Sequence, residues 1–167
     1  MEKNAVANFF QNPVSHQIRL VRALGDIGWP RFAEFLVTIF RDCDEEVQAN
    51  IIHSIGVTDT GKYGDFLAEI WLNHPSEGVR TIALDVRTSI GYLRKSDVEF
   101  FESILFDESV HPCDRASAYL GLTSVFRVCF PKKIGEKFVD ELESKMIDHR
   151  SVLDFLAKEF DEPDPFQ

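Results

Sequence analysis

The sequence is poor in cysteine and contains no long apolar run. Three of its 167 residues are cysteine, an odd number without CxxC spacing, which argues against a disulfide framework and favours a reducing compartment. The most apolar stretch, residues 32–40, spans nine residues and includes Glu34, whereas a membrane-spanning helix needs about 20 apolar residues. Residues 1–13 lack the apolar core of a secretory signal. We therefore expect a cytoplasmic protein without a membrane partner.

Positive charge is also scarce. The chain carries 18 Lys and Arg residues against 28 Asp and Glu residues, which sets its net charge at −10. Such a charge repels nucleic acid and anionic membranes at long range and attracts basic molecules. The composition therefore favours a basic protein partner over a nucleic acid.

The motifs of common catalytic sites are missing as well. The sequence has no GxGxxG pattern, no P-loop, and no serine or cysteine in a glycine-rich nucleophile elbow, so no segment is built to cradle a phosphate or expose a nucleophile. Neighbouring carboxylates such as Asp97 and Glu99 are expected on solvated helix faces. We predict a protein that is not an enzyme and that needs no cofactor.

Two clusters resemble metal sites, and both fail on spacing. Residues 42–46 (DCDEE) alternate acids as a calcium loop does. However, Val47 stands where the loop's sharp turn needs glycine, and His53 stands where it needs a bidentate Glu. His111 and Cys113 have no further ligand at zinc-finger spacing. The acids at 42–46 suit the start of a helix, where the helix dipole stabilises negative charge. We predict no metal site.

What the sequence does contain is apolar residues at helical spacing. Phe32, Phe35, Leu36, Ile39 and Phe40 follow the i, i+3, i+4, i+7, i+8 pattern of one helix face. Comparable stripes recur along the chain, and no segment sustains the alternation of a strand. The patterns predict an all-α protein of about nine helices.

Capping residues predict where helices begin and end. We interpret Asn12 as the cap of the first helix, with Pro13 at its first position, and residues 96–99 as a capping box. Pro112 should open a helix that runs to about Cys129. We predict one helical domain over residues 1–161, followed by an acidic, proline-containing tail at 162–167.

Three glycines suggest an internal repeat. Gly25, Gly56 and Gly91 each follow a run of apolar residues and are 31 and 35 residues apart, and we interpret them as helix ends. An interval of this size is typical of a two-helix repeat, in which each helix pair buries its apolar face against the next pair.

The repeated segments resemble short bacterial HEAT repeats. "RDCDEEVQANIIHSIG" has the acidic turn, the Val, the apolar stretch and the Ile-Gly ending of that family. "PSEGVRTIALDVRTSIG" has the Val-Arg start and the alanine three residues after the arginine; "SHQIRLVRALGDIG" matches at its end, and "HPCDRASAYLGLTSVF" is the loosest copy. The resemblance covers residues 12–130. It implies a right-handed α-solenoid of stacked helix pairs, with the second helices on the concave side, and a role in holding another macromolecule.

Polar residues of the second helices are the expected contact residues, because arginine and tyrosine often dominate binding surfaces. We predict a partner surface formed by the following residues: Asn50, His53, Arg80, Asp85, Arg87, Arg115 and Tyr119. A competing interpretation is that the arginines form ion pairs between repeats, with acids such as Asp85.

The predicted function is that of a non-enzymatic protein-binding scaffold. Size, acidity and the missing catalytic motifs together fit an immunity protein that neutralises a cognate bacterial toxin, with a basic toxin domain as the partner. The alternative is a HEAT-like nucleic-acid-binding protein of the DNA-repair type, with Arg80, Arg87, Arg115 and Arg127 on phosphates. Against it, the segment 44–56 contains no Lys or Arg. An enzyme would gain support from a groove that pairs a histidine with a carboxylate.

Overall fold

The computed structural model describes residues 2–58, 61–89 and 93–161, and within these ranges every regular element is a helix. The α-helices are α1 (Glu2–Phe10), α2 (Val14–Ile27), α3 (Pro30–Ile39), α4 (Glu45–Val57), α5 (Gly64–Asn73), α6 (Glu77–Ser89), α7 (Asp97–Leu105), α8 (Pro112–Cys129), α9 (Lys132–Met146) and α10 (Arg150–Asp161). A short 3-10 helix, Phe40–Asp42, follows α3. The all-α prediction is confirmed, and the nine predicted helices are all present. None of the described helices is long and apolar enough to cross a bilayer.

The helices group into two compact units, residues 1–92 and residues 93–167. Each unit has its own buried side chains, and we describe each separately. The expectation of one domain over residues 1–161 stays a prediction, and the predicted tail at 162–167 lies outside the described residues.

In unit 1, the helix α4 lies between α2 and α6 and packs against both. The helix α3 packs on α2 and α4, and α5 packs on α6. The core between these helices is aliphatic, with Leu36, Ile51, Ile55 and Leu67 at most 1% exposed. The stripe predicted for residues 32–40 contributes to it, because apolar side chains at helical spacing share one face.

Two of the three repeated glycines do not end their helices, which corrects the sequence interpretation for these two. Gly25 lies inside α2, and a Cβ there would come within 2.7 Å of Ser54 Cβ on α4. Gly56 lies inside α4, and a Cβ there would come within 2.6 Å of Val86 Cγ1 on α6. Gly25 and Gly56 are therefore points of close approach between successive helices of the series α2, α4 and α6. The actual end of α2 is Gly28, whose φ of 67° is left-handed. Gly91 lies outside the described residues.

The start of the chain also differs from the prediction. The helix α1 precedes the predicted first helix. Asn12 follows the end of α1, and its Nδ2 donates to Asn8 O of that helix at 2.7 Å. Pro13 is the N-cap of α2, and no side chain caps that end. The short polar side chain of Asn12 thus bonds to the preceding helix instead of the following one.

Unit 2 is built around α8, which packs against α7, α9 and α10. Gly121 on α8 is in contact with Phe101 on α7, and Gly135 on α9 is in contact with the backbone carbonyl of Phe126. The predicted capping box is wrong, because the Ser96 side chain makes no cap bond. Instead, the carboxylate of Asp97 accepts the backbone N–H of Arg94 at 2.6 Å.

Candidate functional site: the groove between α2 and α4

Unit 1 carries a groove where α2 and α4 meet. It has a volume of about 350 Å³. The lining residues come from α2 and α4: Arg22, Gly25, Asp26, Asn50, His53, Ser54 and Val57. Gly25 lets the two helices approach closely at this groove, because a Cβ there would meet Ser54.

Three hydrogen bonds hold the groove in shape. Arg22 Nε donates to Asn50 Oδ1 at 2.7 Å, which links the two helices across the groove. Asn50 Nδ2 in turn donates to Glu46 O at 2.7 Å. Below them, Ser54 Oγ donates to Val21 O at 3.1 Å. The side chains of Arg22 and Asn50 are therefore oriented before any partner binds, which lowers the entropic cost of binding.

The groove offers several kinds of contact side by side. Asp26 and His53 are exposed, and they supply a carboxylate and an imidazole. Val57 is 67% exposed and adds apolar surface at the same place. A mixed polar and apolar surface on rigid helices suits recognition of another protein, whose interfaces combine an apolar centre with a polar rim.

Of the predicted contact residues, the structure places Asn50 and His53 together in this groove. Asp85 is exposed on α6, the helix on the other side of α4. Arg80 is half-buried, and its Nη1 donates to His74 O at 2.7 Å and Pro75 O at 3.2 Å. Arg80 therefore binds the turn before its own helix.

Two predicted contact residues are buried, and they do not belong to an accessible surface. Arg87 is 2% exposed, and its guanidinium packs against Gly64, where a Cβ would lie 3.1 Å from Arg87 Cζ. Arg115 is 4% exposed; its Nε donates to Leu105 O at 2.8 Å and its Nη2 lies 2.9 Å from His149 Nδ1. Sequence spacing did not distinguish these arginines from exposed ones, because long side chains can turn inward where buried acceptors exist.

Tyr119 lies on α8 of unit 2 and is not among the residues that line the groove. Its side chain is half-buried. Burial raises the pKa of its hydroxyl, the charge of Glu143 raises it further, and Arg127 opposes both.

The two groove residues with formal charges, Arg22 and Asp26, were not among the predicted contacts. A repeated sequence separation could have found Arg22. Arg22 and Asn50 are 28 residues apart, and so are Arg41 and Glu69 and Glu34 and Lys62. A polar pair that recurs at one separation indicates that neighbouring helix pairs are in register.

Exposed ion pairs link the segment around α3 to the segment around α5 in unit 1. Arg41 lies 2.8 Å from Glu69, and Lys62 lies 2.6 Å from Glu34. All four side chains are more than half exposed, so each pair contributes little to stability. Arg22 of α2 bonds to the side-chain amide of Asn50.

The four arginines that the nucleic-acid alternative places on phosphates do not form an exposed track. Arg87 and Arg115 are buried, and Arg80 is occupied with main-chain carbonyls. Arg127 is exposed on α8. Phosphate contacts require accessible cations, so these positions disfavour that alternative.

The groove does bring a histidine and a carboxylate, His53 and Asp26, to one place. The neighbouring hydroxyl of Ser54 is buried and donates to Val21 O, so it is not positioned as a nucleophile. Among the described residues, no group of three or more His, Cys, Asp or Glu side chains could hold a metal ion. No protein-family model, curated protein or solved structure matches this chain.

Proposed function

We propose that this chain is a non-enzymatic, HEAT-like α-solenoid that binds another protein in the cytoplasm. The observation that supports this best is the α2–α4 groove. The helices α2 and α4 are in close contact at Gly25 and Ser54. The side chains of Arg22 and Asn50 are already oriented by the hydrogen bond between them. A preorganised, mixed polar surface is what a binding scaffold needs.

The succession of helices in unit 1 supports the solenoid part of the proposal. The helices α2, α4 and α6 lie next to one another, and a glycine lies at each of the two contacts, at Gly25 and at Gly56. Along the chain, α3 comes between α2 and α4, and α5 comes between α4 and α6. This is the arrangement expected of stacked helix pairs, in which each pair contacts its neighbour.

The charge supports a basic partner, and a toxin domain neutralised by an immunity protein is the role we propose. Unit 1 contains 12 acidic and eight basic residues, and the whole chain has a net charge of −10. An acidic binder attracts a basic partner before contact and thereby raises the association rate. Binding should therefore be stoichiometric and should weaken as salt is added.

The test is to isolate the partner from the native host with the tagged chain and to measure binding of the purified pair by calorimetry. Asp26→Lys should weaken binding by about tenfold or more, because it places a cation where the partner is basic. Asp42→Lys is the matched control, since it makes the same charge change at an exposed position outside the groove. The control should cost about threefold or less, from reduced long-range attraction alone.

Two results would contradict the proposal. Equal weakening by Asp26→Lys and Asp42→Lys would remove the groove from the binding surface. An affinity that does not change between low and high salt would exclude a basic partner held by charge.

A further inference from the structure

A second groove lies on a different part of unit 1, between α1 and α3. It has a volume of about 510 Å³, which is within the range of ligand sites. Val6 of α1, Leu24 of α2, and Phe32 and Phe35 of α3 supply its apolar lining. A smaller groove next to it shares Leu24 and Phe35. At these two grooves, apolar side chains next to α1 are incompletely covered by the protein.

Large apolar side chains are exposed around this groove. Trp29 is 51% exposed, and its ring stacks on Phe32 with a centroid distance of 5.4 Å and an angle of 12°. Leu20, which lines the smaller groove, is 43% exposed. Contiguous exposed apolar surface of this kind is typical of an interaction site.

The charge at the rim of the groove is positive. Arg31 lies over the Trp29 ring at 4.3 Å and over the Phe32 ring at 5.2 Å, and in the described part of the chain it forms no ion pair. Glu34, the acid that lines the groove, is neutralised by Lys62 at 2.6 Å. An occupant should therefore place a carboxylate next to Arg31, although the protein as a whole is acidic.

We infer that this α1–α3 groove binds the apolar face of an amphipathic helix from a partner protein, with an acidic residue of that helix beside Arg31. A groove that is open along one side buries one face of a ligand, which suits a helix whose other face stays in water. A lipid acyl chain would need enclosure on all sides. The inference does not depend on the proposed function, because the two grooves use different residues of α2.

Tryptophan fluorescence gives a direct test, with Trp71→Phe leaving Trp29 as the reporter. The probe is a synthetic amphipathic helix of about 14 residues, with leucines on one face and a glutamate beside them. It should change the Trp29 emission saturably, and the same peptide with glutamine should bind about threefold more weakly. Arg31→Gln should remove that difference. Thr38→Phe, which fills the groove from an exposed position in its lining, should weaken binding at least about tenfold.

Circular dichroism shows whether each variant keeps its helices, and Arg31→Gln keeps the test decisive if Thr38→Phe does not fold. Equal binding of the glutamate peptide and its lysine counterpart would overturn the charge assignment. A Trp29 response to decanoate or to phosphatidylglycerol vesicles, without a response to the peptide, would overturn the choice of a helix. No response to any of these probes would overturn the site.

Discussion

Gly25 on α2 and Ser54 on α4 are in direct contact, and the missing side chain of Gly25 is what makes the contact possible. A Cβ at position 25 would lie 2.7 Å from both Cβ and Oγ of Ser54 and 3.0 Å from its Cα. Ser54 Oγ also donates to Val21 O at 3.1 Å. The groove above this pair exists because two helices approach closely here.

Gly25→Ala should therefore destabilise unit 1. The added methyl group meets main chain and a short side chain, and overpacking of this kind costs about 1–3 kcal/mol. That cost exceeds the gain of about 0.5–1 kcal/mol from replacing a helical glycine by alanine. Urea denaturation followed by tryptophan fluorescence reports on unit 1, because both tryptophans, Trp29 and Trp71, lie within it.

Gly78→Ala is the matched control for Gly25→Ala. Gly78 is also helical, on α6, and a Cβ there would have nothing within 4 Å. It should leave the free energy of unfolding unchanged or raise it by up to about 1 kcal/mol. Adding Ser54→Gly to Gly25→Ala should recover part of the loss, since it removes the opposing Cβ. Equal free energies of unfolding for Gly25→Ala and Gly78→Ala would contradict the close contact between Gly25 and Ser54.

Gly135→Ala should be more costly, in unit 2. A Cβ at Gly135 would overlap the backbone carbonyl oxygen of Phe126, and a main-chain atom cannot rotate away as a side chain can. We expect a loss of about 3 kcal/mol or more, together with reduced packing of α9 on α8. Thermal unfolding followed by circular dichroism measures it. An unchanged melting temperature would show that α9 is not held against α8 at this point.

Arg115→Lys should destabilise unit 2 although it keeps the charge. The arginine reaches Leu105 O with Nε and His149 with Nη2, and a single ammonium group cannot reproduce that fork. One buried acceptor is left without its donor, at a cost of about 1–3 kcal/mol. Arg127→Lys, an exposed change on the same helix, should stay within about 0.5 kcal/mol. Equal urea midpoints of unfolding for Arg115→Lys and Arg127→Lys would contradict the role of the Arg115 hydrogen bonds in stabilising unit 2.

Cys43 should react slowly and should make the protein sensitive to alkali. Burial raises the pKa of its thiol to about 11, with the charges of Asp42 and Asp44 acting in the same direction. At pH 8 the thiolate fraction is then about 100-fold or more below that of an ordinary cysteine, whose pKa is about 8.5. Alkylation by iodoacetamide in native buffer and in urea, located by mass spectrometry, measures the difference. Native labelling of Cys43 as fast as in urea would contradict its burial.

The raised pKa of Cys43 also determines how the stability of the fold changes with pH. The folded state keeps the Cys43 proton to a higher pH than the unfolded chain, so this contribution to stability is complete below about pH 8.5 and is lost as the pH rises towards 11. Cys43→Ala should lose less stability across that window. A variant that loses as much as the original chain would show that other groups govern the alkaline transition.

Periodicity predicted most of the described helices. The spacing of apolar residues located nine helices, because a helix in a globular protein must put its apolar side chains on one face. It missed α1, whose buried side chain, Phe9, meets Phe35 through a ring contact of 6.1 Å. A helix held by so few apolar residues carries little periodic signal.

The repeated glycines show why a correct pattern can receive the wrong explanation. Their spacing indicated a repeat, and the structure places two of them, Gly25 and Gly56, at successive helix contacts. The sequence interpretation made them helix ends, because glycine is common at that position. Two helices that approach closely need glycine for a different reason, because it has no Cβ. Which of the two reasons applies can be seen only from the position of the neighbouring helix.

The sequence by itself determined the helical class, the approximate positions of nine helices and the acidic charge, because these depend on local spacing and on composition. The tertiary structure alone decided which arginines are buried, as Arg87 and Arg115 are, and which polar residues meet, as Arg22 and Asn50 do across 28 residues. Burial and contact depend on the rotation of each helix about its axis. That rotation is set by the packing of side chains from helices distant in sequence.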